Sequence, residues 1–325
     1  MNIVSGFISN VNRRSDRDIT KYIKYGLELM AVEISMTVFI EREVFETHIL
    51  PVLVSRGLSY GREDQFAYRV DGGVMDGTQQ IFTYMRIGHI TFVFFRVCDL
   101  FLWLHRKMAH RFALNTGNPG KDTLEYMMVQ CQKSEWMVIA SQLLQRNRFS
   151  LRRPDGSSPS LRLENPLTLC SADASRPELF ADSSVQDRSE YVWIDFGAFH
   201  MFQGKIDVFQ LELYKMRARV NRRILQSGLI VNRLMFARCW DPNHAYYGDI
   251  YKDVNWLFAG SVFGGGALVI NKFALRVREK CFQVLRERNT LMWEINIWVL
   301  IYRECPELFS LYPSDHSEII FHGYN

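Results

Sequence analysis

The chain has 325 residues, of which 48% are hydrophobic, 14% aromatic and 23% charged. This composition supplies a large core, excludes disorder over most of the chain, and fits one large α/β domain with an insertion as well as two domains. The net charge of +4 is small and its basic residues are dispersed, which argues against a dedicated nucleic-acid binder and suits a small anionic ligand.

The first forty residues predict a strand, a helix and a second strand. Asn2 to Ile8 is an apolar, strand-like run, and Asn10 to Asp18 is a polar loop. Ile19 to Met30 has helical spacing, and Ser35 to Ile40 is another short buried run. This is the first unit of a parallel sheet. Glu41 to Glu43 then lies either at the ligand-binding edge of that sheet or in a solvated charge run.

The middle of the chain is less regular until a long helix begins. Gly57 to Gly77 gives no assignment, and Ile87 to Phe95 is a strand or the start of a buried helix. Asp122-Thr-Leu-Glu125 opens a helix, and Tyr126 to Leu144 keeps apolar residues at helical intervals. Its Lys133 is a candidate contact for a diphosphate, or else its ammonium reaches solvent along the helix surface.

A polar segment precedes the strongest candidate site residue. Residues 146–190 are rich in Ser, Pro, Arg and Asp, which predicts a flexible surface insertion in a domain spanning 1–325. Tyr191 to Ile194 then forms a short buried strand, which ends at Asp195. A carboxylate there suits Mg²⁺ or Mn²⁺ and so a phosphate ligand. The alternative is that Asp195 only caps the following turn.

The second half alternates in the same way. We predict strands at Ile206 to Val208 and at Asn255 to Phe258, and an amphipathic helix at Leu268 to Glu287. The segment 259–266 ends in three glycines, and these allow a ligand to approach the backbone closely. They are Gly264, Gly265 and Gly266.

Two further candidates lie near the C-terminus. Trp293-Glu-Ile-Asn-Ile-Trp298 opens an apolar helix in which Glu294 and Asn296 are the polar exceptions. Glu294 is a candidate general base, or simply a first-turn acid that benefits from the helix dipole. Residues 315–325 hold two histidines around a strand-like run. His322 is a candidate for a metal or phosphate contact, or else is solvated.

The remaining features indicate a cytoplasmic protein. The six cysteines lack metal-binding spacing, which predicts buried, reduced thiols. Ile90 to Leu104 is interrupted by charges and too short to span a bilayer, so no transmembrane segment is expected. The N-terminus has no signal-peptide cleavage pattern.

Taken in order, four segments resemble the bacterial HtrL/YibB family, whose members are assigned as glycosyltransferases, and related eukaryotic and large-virus sequences. These are Asn10-Val-Asn-Arg13, Thr123-Leu-Glu-Tyr126 with Lys133-Ser134, Trp193-Ile-Asp-Phe-Gly197, and Phe258-Ala-Gly-Ser-Val-Phe-Gly-Gly265. The resemblance spans nearly the whole chain.

The resemblance implies a GT-A type fold, in which a Rossmann-like sheet is merged with an acceptor-binding half. It also implies that Asp195 holds Mn²⁺ or Mg²⁺ on a nucleotide diphosphate sugar. Gly197 occupies the position of the second acid of the usual Asp-any-Asp motif, and the bacterial relatives tend to have Asp-Gln at Glu294-Ile295. The residues expected at the donor or substrate are Asn10, Arg13, Lys133, Trp193, Gly197, Gly264, Gly265, Gly266 and Asn296.

The main hypothesis is therefore metal-assisted sugar transfer to a glycan or other hydroxyl acceptor, with Asp195 and Glu294 as catalytic residues. Asp195 and His322 are the candidate metal ligands. Metal-dependent phosphoester hydrolysis is a second enzyme class, but it normally needs several clustered acids or histidines. The third hypothesis is a non-catalytic carbohydrate-binding or assembly protein on a decayed transferase fold.

Overall fold

The computed structural model describes residues 1–7, 16–58, 61–69, 79–109, 111–112, 123–150, 189–227, 233–239, 249–315 and 317–324. Asn10 and Arg13 lie outside these ranges, as does 151–188 of the predicted insertion.

Strands of the described chain form one large sheet and one small one. In chain order they are β1 (Asn2–Phe7), β2 (Met36–Glu41), β3 (Glu63–Arg69), β4 (Gln79–Ile87), β5 (Ile90–Phe95), β6 (Arg111–Phe112), β7 (Glu190–Ile194), β8 (Leu234–Arg238), β9 (Phe258–Gly266), β10 (Thr290–Leu291) and β11 (Phe309–Pro313). β6 and β10 pair with each other, and the other nine follow the order β11-β8-β9-β7-β1-β2-β5-β4-β3.

The centre of the large sheet is parallel. β1 pairs in parallel with β2 and β7, and β2 with β5. β9 runs antiparallel to both of its neighbours, as does β4. From β1 the chain adds β2 and β5 on one side and β7 on the other, so the strand order reverses between β1 and β7. In open α/β sheets such a reversal marks a ligand-binding crevice outside the carboxyl ends of the strands.

Helices cover both faces of the sheet. They are α1 (Asp16–Met30), α2 (Arg42–Val44), α3 (Leu50–Ser55), α4 (Leu124–Ser150), α5 (Ile206–Ser227), α6 (Ala267–Arg288), α7 (Glu294–Glu304) and α8 (Ile319–His322). A π-helical turn, Phe45–Ile49, joins α2 to α3, and short 3₁₀ helices lie at Val97–Asp99, Trp103–Met108, Ala198–Phe202 and Pro306–Leu308. No helix in the described ranges is long and apolar enough to cross a lipid bilayer.

Each face of the sheet has its own core. Met137 of α4, Phe273 of α6 and Trp298 of α7 belong to one buried cluster. Phe209 of α5 and Phe321 of α8 belong to the other. The sequence prediction of an α/β fold, with a central sheet flanked by helices, is therefore confirmed at this level.

Stacked aromatic rings pack α4 against the sheet. The ring of Trp136 stacks on Phe39 of β2 at 5.2 Å and on Trp193 of β7 at 5.9 Å, measured between ring centroids. It lies over Gly6 of β1, where a Cβ atom would come within 2.5 Å of the Trp136 ring. The missing side chain at Gly6 thus lets α4 approach the centre of the sheet.

Several sequence predictions of elements are confirmed. The opening strand, the second strand and Tyr191 to Ile194 correspond to β1, β2 and β7. The helices predicted at Tyr126 to Leu144 and Leu268 to Glu287 lie within α4 and α6. The ambiguous run Ile87 to Phe95 is strand, since it holds the end of β4 and all of β5.

Other predictions are wrong. Ile206 to Val208 begins helix α5, because the apolar residues that follow recur at helical spacing and are buried: Phe209, Leu213, Met216 and Val220. The strand predicted from Asn255 starts only at Phe258. The strand-like run between the C-terminal histidines is helix α8. Cys98 is exposed, although buried thiols were expected.

Candidate functional site

The middle of α4 is enclosed on all sides. Residues 131–141 are all buried, including the polar run Gln132 to Glu135. Gln132 accepts a hydrogen bond from the backbone N–H of Phe101 at 3.0 Å, and the Ser134 hydroxyl donates to the Cys131 carbonyl at 3.5 Å. Lys133 is 3% exposed, so its ammonium does not reach solvent along the helix surface.

The Lys133 ammonium meets three acceptors from three different segments. Its Nζ atom lies 2.9 Å from Glu294 Oε1, 3.1 Å from Asp195 Oδ1 and 3.1 Å from the Gly260 carbonyl oxygen. An ammonium has three N–H donors, so these contacts use all of them. None is left for the diphosphate contact that the sequence suggested, unless one of the three is released.

Asp195 lies where the fold predicts a ligand. It directly follows β7, next to the reversal of strand order, and its backbone N–H donates to the Ser261 carbonyl at 2.9 Å. Its side chain is 38% exposed. The following 3₁₀ helix has Gly197 as its N-cap, without a side-chain capping bond. Asp195 is therefore not a simple cap.

One oxygen of Asp195 is held by the protein. Oδ1 accepts a hydrogen bond from Trp193 Nε1 at 2.7 Å and forms an ion pair with Lys133 Nζ at 3.1 Å. Within the described ranges both contacts of the carboxylate fall on Oδ1. Oδ2 therefore makes no contact with the described part of the chain, and the side chain that carries it is partly exposed.

Glu294 is enclosed at the first position of α7. It is 4% exposed, and its Oε2 atom is buried without a hydrogen-bond partner among the described residues. Burial raises the pKa of Glu294, and Lys133 offsets this only in part. A general base must reach the proton that it takes. In this arrangement the Glu294 carboxylate is closed to an acceptor.

The charges of the cluster balance unevenly. Burial alone would lower the pKa of Lys133, but Asp195 and Glu294 outweigh it, so this pKa is raised. Lys133 is accordingly charged at neutral pH. Two carboxyl groups thus surround one ammonium, and this excess of acidic groups suits an approaching cation.

The side chain of Asn296 forms hydrogen bonds that stabilise a loop. It is fully buried, and its amide donates to the carbonyls of Ile250 and Asp253, both at 2.8 Å. Its carbonyl accepts the backbone N–H of Asn255 at 3.0 Å. These bonds fix the loop before β9, and they engage the groups with which Asn296 was expected to meet a donor sugar.

The three glycines do not form a loop beside Asp195. Gly264, Gly265 and Gly266 end strand β9 and pair with residues 190–192 at the start of β7, whereas Asp195 follows the end of β7. A Cβ at Gly264 would come within 2.3 Å of the Tyr191 carbonyl oxygen. These glycines therefore lie within a strand, where the missing side chain of Gly264 allows close packing between β9 and β7.

His322 lies beside an acidic residue other than Asp195. Its Nε2 atom is 3.4 Å from Glu212 of α5, and the nearby Tyr324 donates to Glu190, the first residue of β7, at 2.7 Å. No group of three or more His, Cys, Asp or Glu in the described residues could hold a metal ion. The pairing of Asp195 with His322 at one metal stays a prediction.

The oxygen atoms available at Asp195 therefore suit only a cation whose other contacts come from a bound molecule or from water. Asp195 offers one accessible carboxylate oxygen. Mg²⁺ is commonly bound through one or two carboxylates together with substrate phosphates and water. A cation held by the protein alone does not fit the residues that the structure describes.

Sequence reasoning found Lys133, Trp193, Asp195 and Glu294, and the structure brings these four together. It missed Gly260, whose carbonyl accepts from Lys133 and whose Cβ position lies 2.5 Å from Glu294 Oε1. Gly260 lies in the motif Phe258-Ala-Gly-Ser, which could have identified it. The prediction from the sequence rested instead on the three consecutive glycines that follow.

Neither protein-family models, nor curated proteins, nor solved structures match this chain. The resemblance to the HtrL/YibB family stays a prediction from its motifs.

Proposed function

We propose that the chain is a glycosyltransferase with a GT-A type fold, moving a hexose or pentose from a nucleotide diphosphate sugar to a glycan or other hydroxyl acceptor. The observation that carries the proposal is the position of Asp195. It is a partly exposed carboxylate at the carboxyl end of β7, next to the reversal of strand order. Crevices at this point of open α/β sheets commonly bind nucleotides.

In this proposal the donor diphosphate lies beside Asp195 Oδ2. Asp195 would hold Mn²⁺ or Mg²⁺ together with phosphate oxygens, and the cation would supply neutralisation of the negative charge that grows on the departing diphosphate. Trp193 keeps the carboxylate oriented through Oδ1. Asn10 and Arg13, the other residues expected at the donor from the resemblance, lie outside the described residues, and their role stays a prediction.

The role of Glu294 depends on access. As acceptor base in an inverting transfer it would need the first turn of α7 to open, because its carboxylate is enclosed. The proposal therefore depends on Asp195 and not on Glu294.

The enclosed Glu294 favours one second candidate, a non-catalytic carbohydrate-binding protein on the same fold. In that case a nucleotide sugar or glycan binds, but no accessible base completes the reaction. Turnover, and not binding, distinguishes the two.

The test is incubation of the full chain with a panel of nucleotide sugars and Mn²⁺, measuring binding and release of the nucleoside diphosphate. We expect slow donor hydrolysis or transfer with at least one donor, and its loss in Asp195→Asn with the fold intact. Asp249→Asn, an exposed aspartate in a loop, is the matched control and should retain activity. Binding without turnover in wild type and variant supports the second candidate, whereas no binding of any donor contradicts the proposed glycosyltransferase.

A further inference from the structure

A single buried ammonium ties together three elements of the site. Lys133 belongs to α4, Asp195 follows β7, and Glu294 begins α7. The Lys133 and Glu294 side chains are 4% and 5% exposed, whereas that of Asp195 is 38% exposed. The cluster therefore runs from the protein interior to its surface, with Asp195 at the outer end.

The two contacts on Oδ1 restrict the Asp195 carboxylate. Trp193 Nε1 and Lys133 Nζ both bind this oxygen. A carboxylate held by two donors on one oxygen loses freedom to rotate and presents its other oxygen in a fixed direction. Trp193 is itself fixed, because its ring stacks on Trp136 and Phe263.

We propose that Lys133 is a positioning residue: it holds Asp195 by Oδ1, so that Oδ2 alone meets the diphosphate or its cation, and it does not touch the ligand itself. The identity of the ligand rests on the function proposed above. The positioning of Asp195 rests only on the contacts of Lys133.

The competing role, a direct contact between Lys133 and a phosphate, conflicts with these contacts. Lys133 would have to release Glu294, Asp195 or the Gly260 carbonyl to free one N–H. Releasing Glu294 would leave an enclosed carboxylate without a charged partner, and its Oε2 atom already has no hydrogen-bond partner in the described part of the chain. Releasing Asp195 would remove the anchor from the group that meets the ligand.

The first experiment compares Lys133→Met with the wild type by ¹H–¹⁵N spectra of protein labelled on tryptophan. The indole signal of Trp193 is identified by its loss in Trp193→Phe. We expect this signal to move in Lys133→Met toward its position in Asp195→Ala, in which the acceptor of the indole N–H is absent. A shift in another direction reports only the lost charge of Lys133, whose Nζ lies 5.7 Å from the centroid of the Trp193 ring. Lys280→Met is the matched control: Lys280 is also largely buried and paired with Glu304, but it does not contact Asp195. It should leave the signal in place.

The second measurement is turnover of the same nucleotide-sugar panel with Mn²⁺. Loss of a residue that orients a ligating group typically costs 10- to 100-fold in metal affinity or activity. We expect a fall of about this size in kcat/KM for Lys133→Met, and none for Lys280→Met.

A second variant guards against unfolding. Lys133→Met leaves Glu294 as an unpaired buried charge, so we pair it with Glu294→Gln, which removes that charge while Asp195 stays intact. The double variant should fold, and should still show the displaced Trp193 signal and the reduced turnover.

The outcomes separate the two proposals. A displaced Trp193 signal together with reduced turnover supports the positioning role. An unchanged signal in a folded variant overturns it, and if turnover is nevertheless lost, Lys133 contacts the ligand directly. If the wild type turns over no nucleotide sugar, the proposed function fails, while the spectra still decide whether Lys133 positions Asp195.

Discussion

Arg278 of α6 and Glu135 of α4 form an ion pair in the core, with Arg278 Nη2 lying 2.5 and 2.6 Å from the two carboxylate oxygens. Both side chains are almost fully buried, at 5% and 3% exposure. The hydroxyl of Tyr68, from edge strand β3, also donates to Glu135. The pair lies two residues along α4 from Lys133, so α4 carries two separate buried charge clusters.

Arg278→Met should destabilise the fold strongly. Removing one partner of a buried pair leaves the other charge uncompensated, which costs about 3–5 kcal/mol in the free energy of unfolding. Urea denaturation measures this change. The double variant Arg278→Met/Glu135→Gln leaves no buried charge and should recover most of the loss. A single variant as stable as the wild type would contradict the burial of the pair.

Trp193→Phe should reduce activity more than stability. Phenylalanine can keep the stacking on Trp136, but it lacks the indole N–H that binds Asp195 Oδ1. We expect turnover to fall by about tenfold, at the low end of the effect of an orienting partner. Trp298→Phe is the control, because it shortens another fully buried indole of the same core cluster that does not contact Asp195. Equal losses in both variants would assign the effect to packing.

Gly260→Ala should disturb Glu294. A Cβ atom at this position would lie 2.5 Å from Glu294 Oε1 and 3.3 Å from Ile295. Forcing a methyl group into a packed site typically costs about 1–3 kcal/mol. The cost should shrink in a Glu294→Ala background, where the clashing oxygen is absent, and chemical denaturation of the four proteins gives this coupling. Strict additivity would mean that the two residues do not touch.

Cys239 should react slowly with alkylating reagents at neutral pH. Burial, with a contribution from the negative charge of Asp315, raises the pKa of Cys239 to about 11. Because only the thiolate is nucleophilic, its alkylation rate should keep rising above about pH 9, beyond the usual thiol range. Mass spectrometry of iodoacetamide-treated protein measures this, with the exposed Cys98 as internal comparison. A plateau below about pH 9 would argue against the raised pKa.

The site residues that could be predicted from the sequence are polar groups interrupting apolar runs. Lys133 and Glu294 stand out for this reason, and Asp195 because it ends a short buried strand. Burial of charge is costly, so such interruptions mark places where partners converge. Which partners converge could not be predicted, since Lys133 and Glu294 are 161 residues apart.

The wrong predictions from the sequence arose where a short stretch of residues is compatible with two different structures. Ile206 to Val208 is too short to distinguish period two from period 3.6, and only the continuation to Val220 identifies the helix. Glycine is ambiguous in another way, because its function depends on what occupies the space beside it. At Gly264 that neighbour is the strand β7, and at Gly260 it is the side chain of Glu294.

The packing of Trp136 over Gly6 affects the proposed site through the position of Lys133. Trp136 comes three residues after Lys133, about one turn along α4, so the depth at which its indole settles on β1 also sets the height of the ammonium. A methyl group added to β1 would lift the helix and with it the anchor of Asp195. A substitution at Gly6 or Trp136 would therefore alter the affinity for the proposed ligand, although every residue that faces the ligand stays the same.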